Sequence, residues 1–83
     1  MTRLNTEPAQ PSEVHAVLTD PDISYSAKVC WAYLTAVADP QQMKPMAEAL
    51  SMAEYTVSRS LKALEAKSLA RRTNGVWLPE VPQ

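Results

Sequence analysis

The chain of 83 residues contains a single glycine, and that glycine follows an asparagine in the pair Asn74-Gly75. Short runs that suit β-strands flank this pair at residues 70–73 and 76–78. A two-residue hairpin turn needs positive φ at both central positions, and asparagine and glycine adopt it most readily. The pair therefore predicts an antiparallel β-hairpin in which Arg72 lies opposite Trp77.

A helix is predicted well before this hairpin. Ser24 or Ser26 is a suitable N-terminal cap, and Asp39-Pro40 ends the helix. Spacings of three and four residues place its apolar side chains on one face. That face consists of Ala27, Cys30, Trp31, Leu34, Val37 and Ala38. Upstream, residues 13–18 predict either a short strand or a first helical turn.

Two further helices are predicted between residue 44 and the hairpin. Pro45 fits the first turn of a short helix, because the missing N–H of proline has no helical partner there. Ser51-Met52 predicts a tight break, after which a longer helix occupies about residues 53–67. Spacings of four and three give this helix a buried face of Val57, Leu61 and Leu64.

This order of elements predicts a mainly α-helical domain with a small β-hairpin. A short helix, a tight turn and a longer helix form a helix-turn-helix, and the hairpin at residues 70–78 makes it winged. We therefore expect a winged helix-turn-helix of three helices plus a wing. A chain of this length holds one core, which we place at residues 13–79. The flexible tails are then residues 1–12 and 80–83.

The pattern Thr-Val-x-Arg-x-Leu-x-x-Leu-x-x-x-x-Leu at residues 56–69 resembles the winged-helix transcription regulators of bacteria, phages and plasmids. Residues 18–29 look like the lead-in and first helix of replication-initiator helix-turn-helix domains. The resemblance spans about residues 14–78 and departs at two positions. Lys44 stands where the family usually has a serine or threonine cap, and Ser68 stands where it often has glycine.

The charge of the chain is unevenly distributed. The net charge is −1, which by itself argues against a nucleic-acid partner. Residues 1–43, however, carry −3 and residues 44–83 carry +2. A basic half can approach phosphates while an acidic half faces away.

The resemblance implies that the exposed side of the long helix reads double-stranded DNA and that the wing contacts its backbone. Arg59 would take a guanine edge or a phosphate, and Lys62 a phosphate. We expect Arg72 to be the main wing contact, with its guanidinium held outward on the ring of Trp77, and Leu78 to be a core residue. The predicted DNA-binding residues are Lys44, Tyr55, Thr56, Ser58, Arg59, Lys62, Arg71, Arg72 and Asn74.

Other functions have less support in the sequence. One histidine, His15, and one cysteine, Cys30, are too few for most nucleophilic or metal sites, so we expect neither an enzyme nor a cofactor. We interpret His15 as a surface or partly buried residue, Cys30 as core, and Trp31 and Tyr33 as core or dimer contacts. The chain has no signal-like or membrane-spanning stretch, which predicts a cytoplasmic protein.

Two functional hypotheses remain open. The first is a sequence-specific DNA-binding regulator of transcription or replication, with a homodimer formed through the N-terminal segment or the first helix. The second is a winged helix used as a protein–protein interaction module in a larger assembly. The low net charge and Glu54 at the start of the long helix give the second more support than it usually has, but the first is the main prediction.

Overall fold

The computed structural model describes residues 10–37 and 39–81. In these residues it contains four helices and one two-stranded antiparallel sheet. In chain order the elements are α1 (Pro11–Leu18), α2 (Tyr25–Val37), α3 (Met43–Leu50), α4 (Glu54–Ala66), β1 (Ala70–Thr73) and β2 (Val76–Pro79). The predicted α-helical class with a β-hairpin is confirmed, but the prediction of three helices is wrong because α1 is a fourth.

Helix α1 occupies the segment for which the sequence left strand or helix open. Its first residue is Pro11, two residues before the predicted domain boundary, because proline suits this position. The backbone N–H of Gln10 donates to Glu13 Oε1 at 2.6 Å, which stabilises the first turn. Val17 is the buried residue of this helix and anchors it to the core.

Helix α2 supplies the centre of the core. Ser24 Oγ accepts a hydrogen bond from the Ala27 N–H at 3.2 Å, so Ser24 is the cap. Four of the six predicted core residues on this helix are buried, Val37 is half-buried, and Ala38 lies outside the described residues. The indole N–H of Trp31 donates to the carbonyl of Glu80 at 3.0 Å, which joins α2 to the end of β2.

Helices α3 and α4 are joined by the three residues 51–53. Ser51 has a φ of 55°, and the N–H of Met52 donates to the carbonyl of Ala47 at 2.9 Å. This is the Schellman arrangement, which satisfies a free carbonyl at a helix end and turns the chain sharply. The break predicted at Ser51-Met52 is confirmed, with a serine in the conformation that glycine usually takes.

The buried face of α4 is the predicted one, since Val57, Leu61 and Leu64 are fully buried against α2 and the core. The helix ends at Ala66, so Lys67 lies just beyond it instead of within its last turn. Ser68 has a φ of 60°, and the Leu69 N–H donates to the carbonyl of Leu64 at 2.8 Å. A second Schellman motif thus directs the chain from α4 into the sheet.

The hairpin has the predicted register, including Arg72 opposite Trp77 and Arg71 opposite Leu78. Its turn residues, Asn74 and Gly75, have φ values of 52° and 80°. On its other edge, β2 pairs with one residue of the loop before α3. Gln41 and Trp77 exchange backbone hydrogen bonds of 2.9 and 2.7 Å. This bridge fixes the start of α3 beside the hairpin.

Candidate functional site

The outer face of α4 carries three of the predicted site residues. Tyr55, Arg59 and Lys62 are spaced by four and three residues, so they form one stripe. All three are exposed, and they lie on the side opposite the buried residues Val57 and Leu61. We call this stripe the outer face of α4. It is a rigid surface because the opposite side of the same helix is fully packed.

The sequence predicted the members of this stripe but not the contact between two of them. The guanidinium carbon of Arg59 lies 5.6 Å from the centre of the Tyr55 ring. This distance is within the range of a cation–π contact. Its spacing of four residues along a helix was a signal that could have revealed it from the sequence.

The flanks of α4 are less accessible than its outer face. Thr56 and Ser58, both predicted as site residues, are half-buried, so only part of each side chain can meet a ligand. Ser60 is 3% exposed, and its hydroxyl donates to Ser26 Oγ at 3.0 Å. This bond between α4 and α2 helps to fix the direction in which the outer face of α4 points. Sequence periodicity contains no signal for this bond.

The N-terminus of α4 has no hydrogen bond from a side-chain cap, because its N-cap residue is Ala53. The first N–H groups of a helix need acceptors and carry a partial positive charge. Glu54, in the first turn, complements that charge. A phosphate could occupy the same position, although Glu54 would compete with it electrostatically.

Two arginines and an asparagine lie on the exposed part of the hairpin. Arg71 Nε lies 4.0 Å from Glu80 Oε1, so a carboxylate already neutralises part of its charge. Arg72 is exposed and makes no ion pair with a residue that the structure describes. Asn74 is exposed at the turn. Of the two arginines, Arg72 is therefore the one whose charge no described carboxylate offsets.

The sequence-based reason for preferring Arg72 as the main wing contact is wrong, however. Trp77 is 6% exposed and belongs to the core, whereas Leu78 is only half-buried. The prediction assigned the outward position to Trp77 and the core position to Leu78. The Trp77 side chain belongs to the hydrophobic core cluster, and its strand contacts α2. Since that ring is enclosed, it does not hold the Arg72 guanidinium outward.

Lys44 is exposed in the first turn of α3, beside the hairpin. The Gln41 bridge lies on one edge of β2 and β1 lies on the other. Neighbouring strands are about 4.8 Å apart, so the backbones of Gln41 and Arg72 are separated by roughly 10 Å. Gln41, three residues before Lys44, and Arg72 thus lie on opposite edges of β2.

Lys67, just beyond the end of α4, is a cation outside the predicted site. Its ammonium lies 3.7 Å from the carboxylate of Asp20, in the loop between α1 and α2. This contact turns the charge toward the acidic half of the chain. It also provides a comparison with Lys62, which stands on the outer face of α4.

The remaining sequence candidates are placed away from this surface. His15 is exposed on α1, and Trp31 is core instead of a dimer contact because it is completely buried. Tyr33 is half-buried against the core. Burial raises the pKa of the Cys30 thiol, and a hydrogen bond with Ser60 opposes that shift. Residues 10–37 and 39–81 contain no group of three metal-ligating side chains.

None of the helices in the described residues combines the length and the apolarity needed to cross a bilayer. Comparisons of the chain with protein-family models, with curated proteins and with solved structures gave no match.

Proposed function

We propose that this chain is a winged helix-turn-helix domain that binds specific sequences of double-stranded DNA. The proposal is carried by the order of the elements, in which α3, a three-residue turn, α4 and the hairpin follow one another. Along α4, the side chains of Tyr55, Arg59 and Lys62 are exposed. A helix of this kind fits the major groove, which presents a distinct pattern of donors and acceptors for each base pair. The hairpin is then the wing that contacts the backbone.

The proposed contacts divide by chemistry. Arg59 is the base-reading residue, because a planar guanidinium pairs with two acceptors of guanine at once. Lys62, Lys44 and Arg72 are phosphate contacts, and their exposed charges supply affinity without sequence preference. Tyr55, Thr56, Ser58 and Asn74 supply further polar groups, and Arg71 contributes from the side of the wing.

We further propose a cytoplasmic regulator of transcription or replication that binds as a homodimer. Regulators of this architecture commonly place two copies on two half-sites about one helical turn apart. The N-terminal segment or α2 is the proposed dimer surface. Sedimentation of the free protein and of its complex with a selected duplex gives the stoichiometry, and a single copy in both would contradict the dimer.

The test of DNA binding starts from a pool of randomised duplexes, from which the protein selects its preferred sequence. Fluorescence anisotropy then measures the affinity for that duplex and for a scrambled one at several salt concentrations. We expect selective binding, and we expect the logarithm of the binding constant to fall linearly with the logarithm of the salt concentration. An absence of selection and of any binding at low salt would overturn the proposal.

A matched pair of lysine variants locates the interface. Lys62→Ala removes a charge from the outer face of α4, and we expect the magnitude of the salt slope to fall by about one. Lys67→Ala removes the same charge from a side chain already directed at Asp20, and we expect little change in slope. Equal effects of the two variants would mean that net charge, and not this surface, governs binding.

A second function has one observation in its favour. Tyr25 and Val29, four residues apart on α2, are 85% and 43% exposed. Exposed apolar side chains on one helical face are typical of protein interaction sites. Under this second function the chain is a protein–protein interaction module. The DNA-selection experiment would then yield no preferred sequence, and Lys62→Ala would not change the affinity for a protein partner.

A further inference from the structure

The Tyr55 ring lies under Arg59 although neither side chain belongs to the core. Tyr55 is 71% exposed, so packing against other elements does not explain its position. Its contact is with the guanidinium of Arg59, 5.6 Å from the ring centre. An aromatic ring attracts a guanidinium to its face and thereby limits the directions that the flexible arginine can take.

The contact leaves the N–H groups of the guanidinium available. The Tyr55 ring lies on one side of the guanidinium, whereas the N–H groups project from the edge of the guanidinium plane. That edge is the part that donates two parallel hydrogen bonds to O6 and N7 of guanine. A guanidinium that is already oriented loses less conformational freedom when it binds.

The position of Arg59 on α4 favours a base over a phosphate. Arg59 lies on the outer face, between Tyr55 and Lys62, and the half-buried Thr56 and Ser58 lie on the two flanks. A helix inserted in the major groove presents its outer midline to the base edges, while its flanks and ends approach the two backbones.

We propose that Tyr55 is a positioning residue whose ring attracts the Arg59 guanidinium and orients it to read a guanine, so the recognised sequence contains a G·C pair where Arg59 reaches. This inference rests on the DNA-binding function proposed above. It assigns the ring of Tyr55, and not its hydroxyl, the main role in recognition.

The experiment compares three variants with the wild-type protein on duplexes selected from the randomised pool. Tyr55→Phe keeps the ring and removes the hydroxyl, and we expect it to retain the preference for guanine. Tyr55→Leu keeps an apolar side chain suited to a helix but removes the ring. We expect it to weaken binding to the guanine duplex by about two- to fivefold, with a smaller loss on the duplex substituted at that position. Arg59→Lys keeps the charge and loses the two-pronged donor, and we expect it to lose the preference.

A measurement without DNA tests the positioning role separately. NMR relaxation of the Arg59 Nε–Hε group in the free protein should report a more mobile side chain in Tyr55→Leu than in Tyr55→Phe. Unfolding by urea serves as the control, because an exposed residue should leave the stability of both variants close to that of the wild type.

The outcomes separate this inference from the function on which it rests. If the wild-type protein selects no duplex, the proposed function fails and the inference fails with it. If the wild-type protein selects a duplex and Tyr55→Leu keeps its preference and its Arg59 mobility, only the inference is overturned. An equal loss in Tyr55→Phe and Tyr55→Leu would also overturn it, because the hydroxyl would then be the contact.

Discussion

At the scale of single residues, the two serines with positive φ have the clearest energetic consequence. Ser51 and Ser68 stand at the ends of α3 and α4, with φ values of 55° and 60°. A residue with a Cβ atom pays a steric cost in this conformation, and glycine does not. The chain therefore holds both helix ends with residues that are not the most stable choice.

We expect Ser68→Gly to raise the free energy of unfolding by about 0.5–1 kcal/mol, because the relief of the strained φ exceeds the extra entropy of glycine in the unfolded chain. Urea unfolding measures the change. Ser58→Gly, in the interior of α4, is the control and should lower stability by about 0.5 kcal/mol. A loss of stability in Ser68→Gly would mean that its backbone is not strained in solution.

The Cys30 thiol should report on the opening of the core. Burial raises its pKa, so the native state disfavours the thiolate more than the unfolded state does. The resulting stabilisation is present below the thiol's ordinary pKa of about 8.5 and declines as the pH rises above it. We expect a thiol reagent to label the native protein far more slowly than the urea-unfolded chain, and equal labelling rates would contradict the burial.

At the scale of elements, the exposure of the outer face of α4 depends on the packing of that helix. Its outer face is exposed because Val57, Leu61 and Leu64 direct the opposite face into the core. The hydrogen bond between Ser60 and Ser26 adds a directional contact to that apolar packing. Rotation of α4 by one residue would bury a cation and expose a leucine, so the buried stripe determines which side chains α4 presents to solvent.

We expect Leu61→Ala to lower the free energy of unfolding by about 2–5 kcal/mol, since it opens a cavity in a fully packed core. The neighbouring variant Lys62→Ala, on the exposed side of the same helix, should change stability by no more than about 0.5 kcal/mol. Thermal unfolding of both variants checks the orientation of α4. A reversed order of the two effects would place the helix with its other face inward.

The hairpin gives a prediction of its own. Arg72→Ala should weaken binding to all duplexes and reduce the magnitude of the salt slope by about one, as the loss of one phosphate contact requires. Arg71→Ala should have a smaller effect, because Glu80 already offsets part of the Arg71 charge. Anisotropy titrations in several salt concentrations measure both slopes. If a double variant that combines Arg71→Ala with Arg72→Ala kept the wild-type salt slope, the hairpin would not be part of the interface.

At the scale of the whole molecule, the sequence predicts features that depend on local signals better than features that depend on long-range contacts. The faces of α2 and α4, the break at Ser51 and the hairpin register depend on neighbours within a few residues, and the structure confirms them. Residues 13–18 have no clear period, so the sequence does not decide between strand and helix, and it places Pro11 in the tail instead of at the start of α1.

One error and one omission involve partners that are far apart in the chain. The assignment of Trp77 and Leu78 depends on Gln41, which the sequence places 36 residues before Trp77 and the fold places beside it. The bond between Ser26 and Ser60 also joins residues from different helices. Periodicity within one strand or helix holds no information on such pairs, so the outward side of β2 could not be derived from alternation alone.

The central claim is that α4 presents its outer face to the bases of double-stranded DNA. NMR titration of the isotopically labelled protein with its selected duplex tests it most directly, because each backbone amide reports its own environment. We expect the largest shifts at residues 54–62 and at residues 71–75, with a scrambled duplex giving smaller and faster-exchanging shifts. Shifts confined to the exposed side of α2 around Tyr25 and Val29, with α4 unaffected, would contradict the account.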